Sequence, residues 1–127
     1  MVKLLIIPKK VKDEIKKDKS ILAVALYGSY ARREPHRDID LAIILSKKPS
    51  NVEMSRIKMK YSSLMPSIFD VKVFQQLPIY IRIQIIKEGK IFLCKNFDKL
   101  YELSFSTLKE FGFYKKIYDL YLQNVAE

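Results

Sequence analysis

Apolar runs of strand length, separated by stretches of helical period, limit what this chain can fold into more than any other feature. Residues 21–27, ILAVALY, form a continuous apolar run closed by Gly28. Residues 38–45, DIDLAIIL, read as a second strand ended by Lys47, Lys48 and Pro49. Residues 68–75, IFDVKVFQ, and 90–94, KIFLC, supply a third and a short fourth. Between them the spacing turns helical. Residues 9–19 predict a short amphipathic helix with Val11 and Ile15 as its apolar stripe. Residues 29–33 look like the start of a helical turn stopped by Pro35. Residues 51–65 have Val52, Met54, Ile57, Tyr61, Leu64 and Met65 as buried candidates, and Pro66 breaks the pattern. Pro78 suits the first turn of another helix, and Gly89 suits its C-terminal cap. From Phe97 onward the chain reads as helical, in two pieces around Gly112. The alternation predicts an α/β (α+β) domain, a small mixed sheet packed against helices.

At 127 residues the chain is expected to be a single domain, 1–127, with a helical C-terminal segment from about residue 96. Its one cysteine, Cys94, excludes an internal disulfide framework and a multi-cysteine zinc site. Its one histidine, His36, excludes a two-histidine acid–base pair. No apolar run approaches the roughly 18 residues of a membrane span, and the N-terminal apolar stretch is too short for a signal-peptide core. A soluble cytoplasmic protein without membrane contact is the expectation. The formal charge of +10 invites a nucleic-acid reading. Residues 1–64 hold 15 basic and 7 acidic side chains against 9 and 7 in the remainder. Much of that excess is lysine alternating with Asp13, Glu14 and Asp18, the pattern of a solvated helix face. Nucleic acid is therefore not the favoured partner.

The chemistry concentrates in Gly28-Ser29-Tyr30-Ala31-Arg32 and Asp38-Ile39-Asp40. Residues two apart on a strand share a face, so Asp38 and Asp40 project together while Ile39, Leu41, Ile43 and Leu45 face a core. Carboxylates this close repel unless protonated or bridged by a cation. Oxygen-only ligands favour a hard cation such as Mg²⁺ or Mn²⁺. Asp70 and Lys72 share a face away from Phe69 and Val71, so a strand paired beside 38–45 would bring in a third carboxylate. Three carboxylates could hold two ions, and Asp70 would act as ligand or as base for an attacking hydroxyl. Gly28 permits close backbone approach to a phosphate, and Ser29 adds a hydroxyl. Arg32 and Arg33 follow with charge for a triphosphate or a departing pyrophosphate.

These blocks resemble the minimal nucleotidyltransferases (MNT domains) of the DNA polymerase β superfamily. Gly28-Ser29-Tyr30-Ala31-Arg32 and Asp38-Ile39-Asp40-Leu41-Ala42 look like the family's GSYAR and SDIDLA motifs, and Phe69-Asp70-Val71 like its third-carboxylate strand. Leu77-Pro78, Arg82-Ile83, Ile86 and Lys87-Glu88-Gly89 resemble the stretch that typically follows, so the likeness spans roughly residues 21–94. It implies transfer of a nucleoside monophosphate from an NTP to a hydroxyl, with two Mg²⁺ ions and release of pyrophosphate. It further implies that Gly28 and Ser29 grip the triphosphate and that Asp38, Asp40 and Asp70 hold the metals. Many stand-alone members are antitoxins that transfer AMP from ATP to a tyrosine of a HEPN-domain ribonuclease toxin. The HEPN signature itself is absent, since only three residues separate Arg32 from His36. Two features depart from the family. Eight residues, Tyr30 to Arg37, separate GS from DxD, fewer than usual, and Arg33 stands where a glycine often follows the arginine.

Two other readings stay open. One is a catalytically weak or inactive antitoxin that covers its partner. Phe97, Tyr101, Phe105, Phe111, Phe113, Tyr114, Tyr118 and Tyr121 motivate it, being too many aromatics for one helix face, with half of them expected against the core. The rest would form a partner surface or a homodimer contact. The other is a transferase whose acceptor is a small molecule or RNA.

Overall fold

The computed structural model describes residues 7–32 and 38–126. Its elements run α1 (Lys9–Lys17), β1 (Ile21–Tyr27), α2 (Gly28–Ala31), β2 (Ile39–Leu45), α3 (Asn51–Leu64), β3 (Phe69–Val73), α4 (Ile79–Glu88), β4 (Lys90–Cys94) and α5 (Phe97–Ala126). One four-stranded sheet has the order β3-β2-β1-β4. β1 pairs antiparallel with β2 and with β4, whereas β2 and β3 are parallel. The parallel pair needs a crossover, and α3 supplies it.

Each face of the sheet carries a core. Val11 and Ile15 of α1 and Met54, Ile57 and Tyr61 of α3 pack on Leu26, Ile39, Leu41, Ile43, Val71 and Val73. On the opposite face, Ala25, Tyr27, Ala42, Ile44 and Phe74 meet Ile85 of α4, with Leu100 and Leu103 of α5 alongside. All seven residues of β1 are buried, which is why its sequence does not alternate. β3 does alternate: Phe69, Val71 and Val73 are buried, and Asp70 and Lys72 are half-exposed on a face that neither α4 nor α5 covers.

The structure differs from expectation in three places. The third strand is shorter than 68–75, because Phe74–Gln76 turn into a 3₁₀ helix. There the Gln75 side-chain amide donates to the Leu45 carbonyl at 2.9 Å and accepts from the Leu45 N–H at 3.1 Å, replacing strand pairing. In α3, Val52 and Leu64 are exposed, and only Met54, Ile57 and Tyr61 turn inward, with Met65 buried just beyond the helix. The C-terminal segment is one unbroken helix. Nothing lies within 4 Å of a side chain at Gly112, so no packing forces a bend, and an interior glycine costs only about 1 kcal/mol. The aromatics there are also exposed, except the half-buried Phe111; Leu100, Leu103 and Thr107 fill the core side. Gly89 does end α4, but with φ −64°, so its need is space rather than handedness. A Cβ there would lie 2.4 Å from the Ile85 carbonyl oxygen. Among the described residues no helix is long and apolar enough to cross a membrane.

Asp18 ties the α1 end of this framework together. Its carboxylate accepts from the Ser20 N–H at 3.0 Å, the Ser20 hydroxyl at 2.6 Å and the buried Tyr61 hydroxyl at 2.7 Å. Burial alone would raise its pKa, but these hydrogen bonds and Lys60 outweigh burial and hold it below its ordinary 3.8. A depressed carboxylate stabilises the fold fully above its unfolded-state pKa and ceases to do so as pH falls through the folded-state value. Tyr61→Phe should therefore cost about 1.5 kcal/mol at neutral pH in urea unfolding. The deficit should shrink in acid below the usual carboxylate range.

Candidate active site

Strand register builds the site. Tyr27, the last residue of β1, stands opposite Asp40 across the antiparallel ladder. Asp40 in turn stands beside Asp70 across the parallel one. Directly paired residues share a face with Cβ atoms about 5 Å apart, so Tyr27, Asp40 and Asp70 form a row over three adjacent strands. Asp38 lies exposed just before β2. Asp40 faces away from Ile39, Leu41 and Ile43, on the side of the second core, as its strand spacing predicts.

Gly28 closes the row from above. Its φ is +73°, the left-handed region that glycine enters without strain. Its second role is steric: a Cβ would fall 2.3 Å from Oδ2 of Asp40. Glycine thus lets the turn between β1 and α2 pass directly over the carboxylate. α2 then makes a single turn, with the Arg32 N–H donating to the Gly28 carbonyl at 3.2 Å.

The charges around Asp40 are mixed. Burial and the neighbouring Asp70 carboxylate raise its pKa above 3.8, with Asp38 adding to the rise, while Lys72 and Arg32 oppose it. Burial, Asp40 and Asp70 also keep the Tyr27 phenol protonated well above its ordinary value of 10. Lys72 reaches Oδ2 of Asp70 with its Nζ at 3.3 Å. An Arg32 Nη lies 3.5 Å from Oε2 of Glu88 at the end of α4.

Of the residues expected in the site, Gly28, Arg32, Asp38, Asp40 and Asp70 are therefore neighbours. Ser29 lies in the backbone of α2. Arg33, with His36 and Arg37, lies outside the described residues. Tyr27 and Lys72 are neighbours of the site that the motifs did not name, and Glu88, part of the matched Lys87-Glu88-Gly89 block but given no role there, pairs with Arg32. The signal for Tyr27 was its place before Gly28, and for Lys72 its period-two spacing from Asp70. Among the described residues, no three His, Cys, Asp or Glu side chains converge as a ready ligand set. The donor chemistry nevertheless suits a hard divalent cation, because like-charge carboxylates in register gain most from one.

Asp40 ionises against its surroundings, so without a bound cation it weakens the fold above the carboxylate range. Asp40→Asn should raise the urea midpoint at neutral pH, and the gain should vanish as acid neutralises the native carboxylate too. Gly28→Ala should do the reverse, losing about 1 kcal/mol or more by strain alone. Urea unfolding from pH 3 to 8 checks both.

Comparison with known proteins agrees with this geometry. The chain matches the family described as "Polymerase beta, Nucleotidyltransferase" over residues 9–98. A relative from Methanocaldococcus jannaschii, named "Putative protein adenylyltransferase", is 32% identical over 74 residues. That match covers 56% of this chain and 54% of the relative, so the chain spans about half the length of the curated relative it matches. Among solved structures, a toxin–antitoxin crystal structure with AMP-PNP superposes with a TM-score of 0.67 at 18% identity, over 93% of this chain and 98% of the other. A tri-AMPylated Shewanella oneidensis HEPN toxin in complex with an MNT antitoxin gives 0.61 at 17%, over 94% and 98%. At these identities the structures establish the shared fold. By its sequence match over residues 9–98, the chain belongs to the polymerase β nucleotidyltransferase family.

Proposed function

We propose that residues 1–127 form one metal-dependent nucleotidyltransferase domain that moves AMP from ATP to a hydroxyl, a tyrosine of a HEPN-domain toxin, and so acts as a cytoplasmic antitoxin. The observation that carries this reading is the Asp40–Asp70 pair held in register beneath Gly28. In the reaction the acceptor oxygen forms a bond to the α-phosphorus, the bond to the bridging oxygen breaks, and pyrophosphate leaves. Asp38, Asp40 and Asp70 are the residues that would hold Mg²⁺, or Mn²⁺, which would supply charge neutralisation and an acidified hydroxyl. Asp70 is also the carboxylate assigned to the acceptor's proton. Gly28 admits the triphosphate close to the backbone, and Ser29, Arg32 and Arg33 supply its hydrogen bonds.

A protein acceptor is supported by α5. Arg82 of α4 clamps Glu110 through paired contacts of 3.2 and 2.7 Å, the last ion pair described along the helix. Past Phe111 every described side chain is exposed, including Phe113, Tyr114, Ile117, Tyr118, Leu120, Tyr121, Leu122 and Val125. Apolar surface on this scale marks an association site. The toxin complexes among the solved structures favour a toxin as occupant over a second copy of this chain. The same surface favours a second reading, an antitoxin that binds without turnover, because it does not depend on the carboxylates.

Incubation with Mg²⁺, each α-labelled NTP and host lysate separates these readings. A protein band should be labelled from ATP, and Asp38→Asn/Asp40→Asn should lower the rate at least about a thousandfold. Tyr114→Ser/Tyr118→Ser should leave the urea midpoint unchanged and reduce labelling of the partner. Activity retained in the aspartate variant would overturn the mechanism, and label in RNA or a small molecule would replace the acceptor. No label, with the partner still bound, would establish binding without turnover.

A further inference from the structure

Lys72 has no part in the motifs, yet it occupies the carboxylate row. It follows Asp70 by two residues on β3 and therefore shares its face. Its partner in the parallel ladder is Ala42, a residue too small to fill the space beside it. The lysine can accordingly bend along the strand, and its Nζ rests 3.3 Å from Oδ2 of Asp70. Both side chains are partly shielded, at 36% and 42% exposure, so the contact is more than a fully solvated surface pair. Lys72 also acts electrostatically on Asp40, the register partner of Asp70.

We propose that Lys72 is a built-in counter-cation for the site: its ammonium holds Asp70 until a divalent ion claims that carboxylate, and metal binding must displace it. This rests on the reading of Asp38, Asp40 and Asp70 as metal ligands. Ammonium and divalent ion compete for one carboxylate, so the protein binds metal less tightly than its aspartates alone would. Displacement has a second consequence. The freed ammonium sits on a flexible stem within reach of an anionic nucleotide. A triphosphate that draws Lys72 away from Asp70 thereby assists metal entry, and the two ligands favour the same rearrangement. Lys72 is thus a positioning residue for the transfer, acting through Asp70.

The test is Mn²⁺ binding to the nucleotide-free protein, read as free Mn²⁺ by electron paramagnetic resonance. Lys72→Met should tighten binding about three- to fivefold, the range expected from releasing a partly exposed ion pair. Lys72→Arg, which keeps the charge, should remain close to wild type. In an Asp70→Asn background Lys72→Met should tighten binding much less, because the direct competition is gone and only the weaker action of Lys72 on Asp40 remains. Equal tightening in both backgrounds would reduce Lys72 to general electrostatics and overturn the proposal. So would unchanged or weaker binding by Lys72→Met, provided its urea midpoint shows a folded protein; Lys72→Gln serves if it does not. Either result leaves the three-aspartate reading standing if Asp38→Asn/Asp40→Asn abolishes Mn²⁺ binding. Failure of the wild type to bind Mn²⁺, with or without AMP-PNP, would overturn both.

Discussion

Strand β1 has no solvent-facing side, and the remainder of the structure is arranged around covering it. Helices α1 and α3 cover one face of the sheet, α4 and the first turns of α5 the other, while β2 and β4 flank β1 on either side within it. Because both faces are covered at β1, the chain can leave it only at the strand's end, where Gly28 makes the left-handed turn. That exit lies directly above Asp40. A wholly buried apolar strand thus delivers the chain to a cluster of charged side chains.

The carboxylates survive there because coverage runs out. α4 and α5 cover β1 and part of β2, leaving the Asp70 and Lys72 face of the edge strand open to water. Full burial of two ionised aspartates would cost several kcal/mol each, whereas half-burial with a lysine close by costs much less. The compromise leaves Asp40 reluctant to ionise, because burial and the Asp70 carboxylate outweigh Lys72 and Arg32. An unfavourable local interaction is tolerated where a ligand would relieve it.

Helix α5 divides into two physical regimes. Its first part packs against the sheet through Leu100 and Leu103 and is locked to α4 by Arg82 and Glu110. The rest projects, with Tyr114 stacked on Tyr118 and Tyr118 on Tyr121 at centroid distances of 6.2 and 6.4 Å. At about 1.5 Å per residue the helix is roughly 45 Å long, longer than the small sheet it lies on can cover. The surplus leaves its apolar side chains exposed.

Much of this was legible in the residues themselves. Period-two spacing placed Asp38 with Asp40, and Asp70 with Lys72, because strand geometry alone decides which neighbours share a face. The run ILAVALY foretold a strand, and Pro66 and Pro78 foretold helix boundaries. Other features were beyond local pattern. Gly112 read as a break because a lone glycine weakens a helix, but whether it bends depends on packing that is missing there. The aromatics of α5 read as half core, and only the size of the sheet showed that aliphatic side chains suffice. The sequence alone thus determined which residues were candidates for the chemistry and which face of a strand Asp40, Asp70 and Lys72 take, because side-chain direction alternates with every residue. Tertiary structure alone decided that Asp40 meets Asp70, that Gly28 passes over them and that Lys72 claims Asp70, because strand order and register come from burying two distant cores at once.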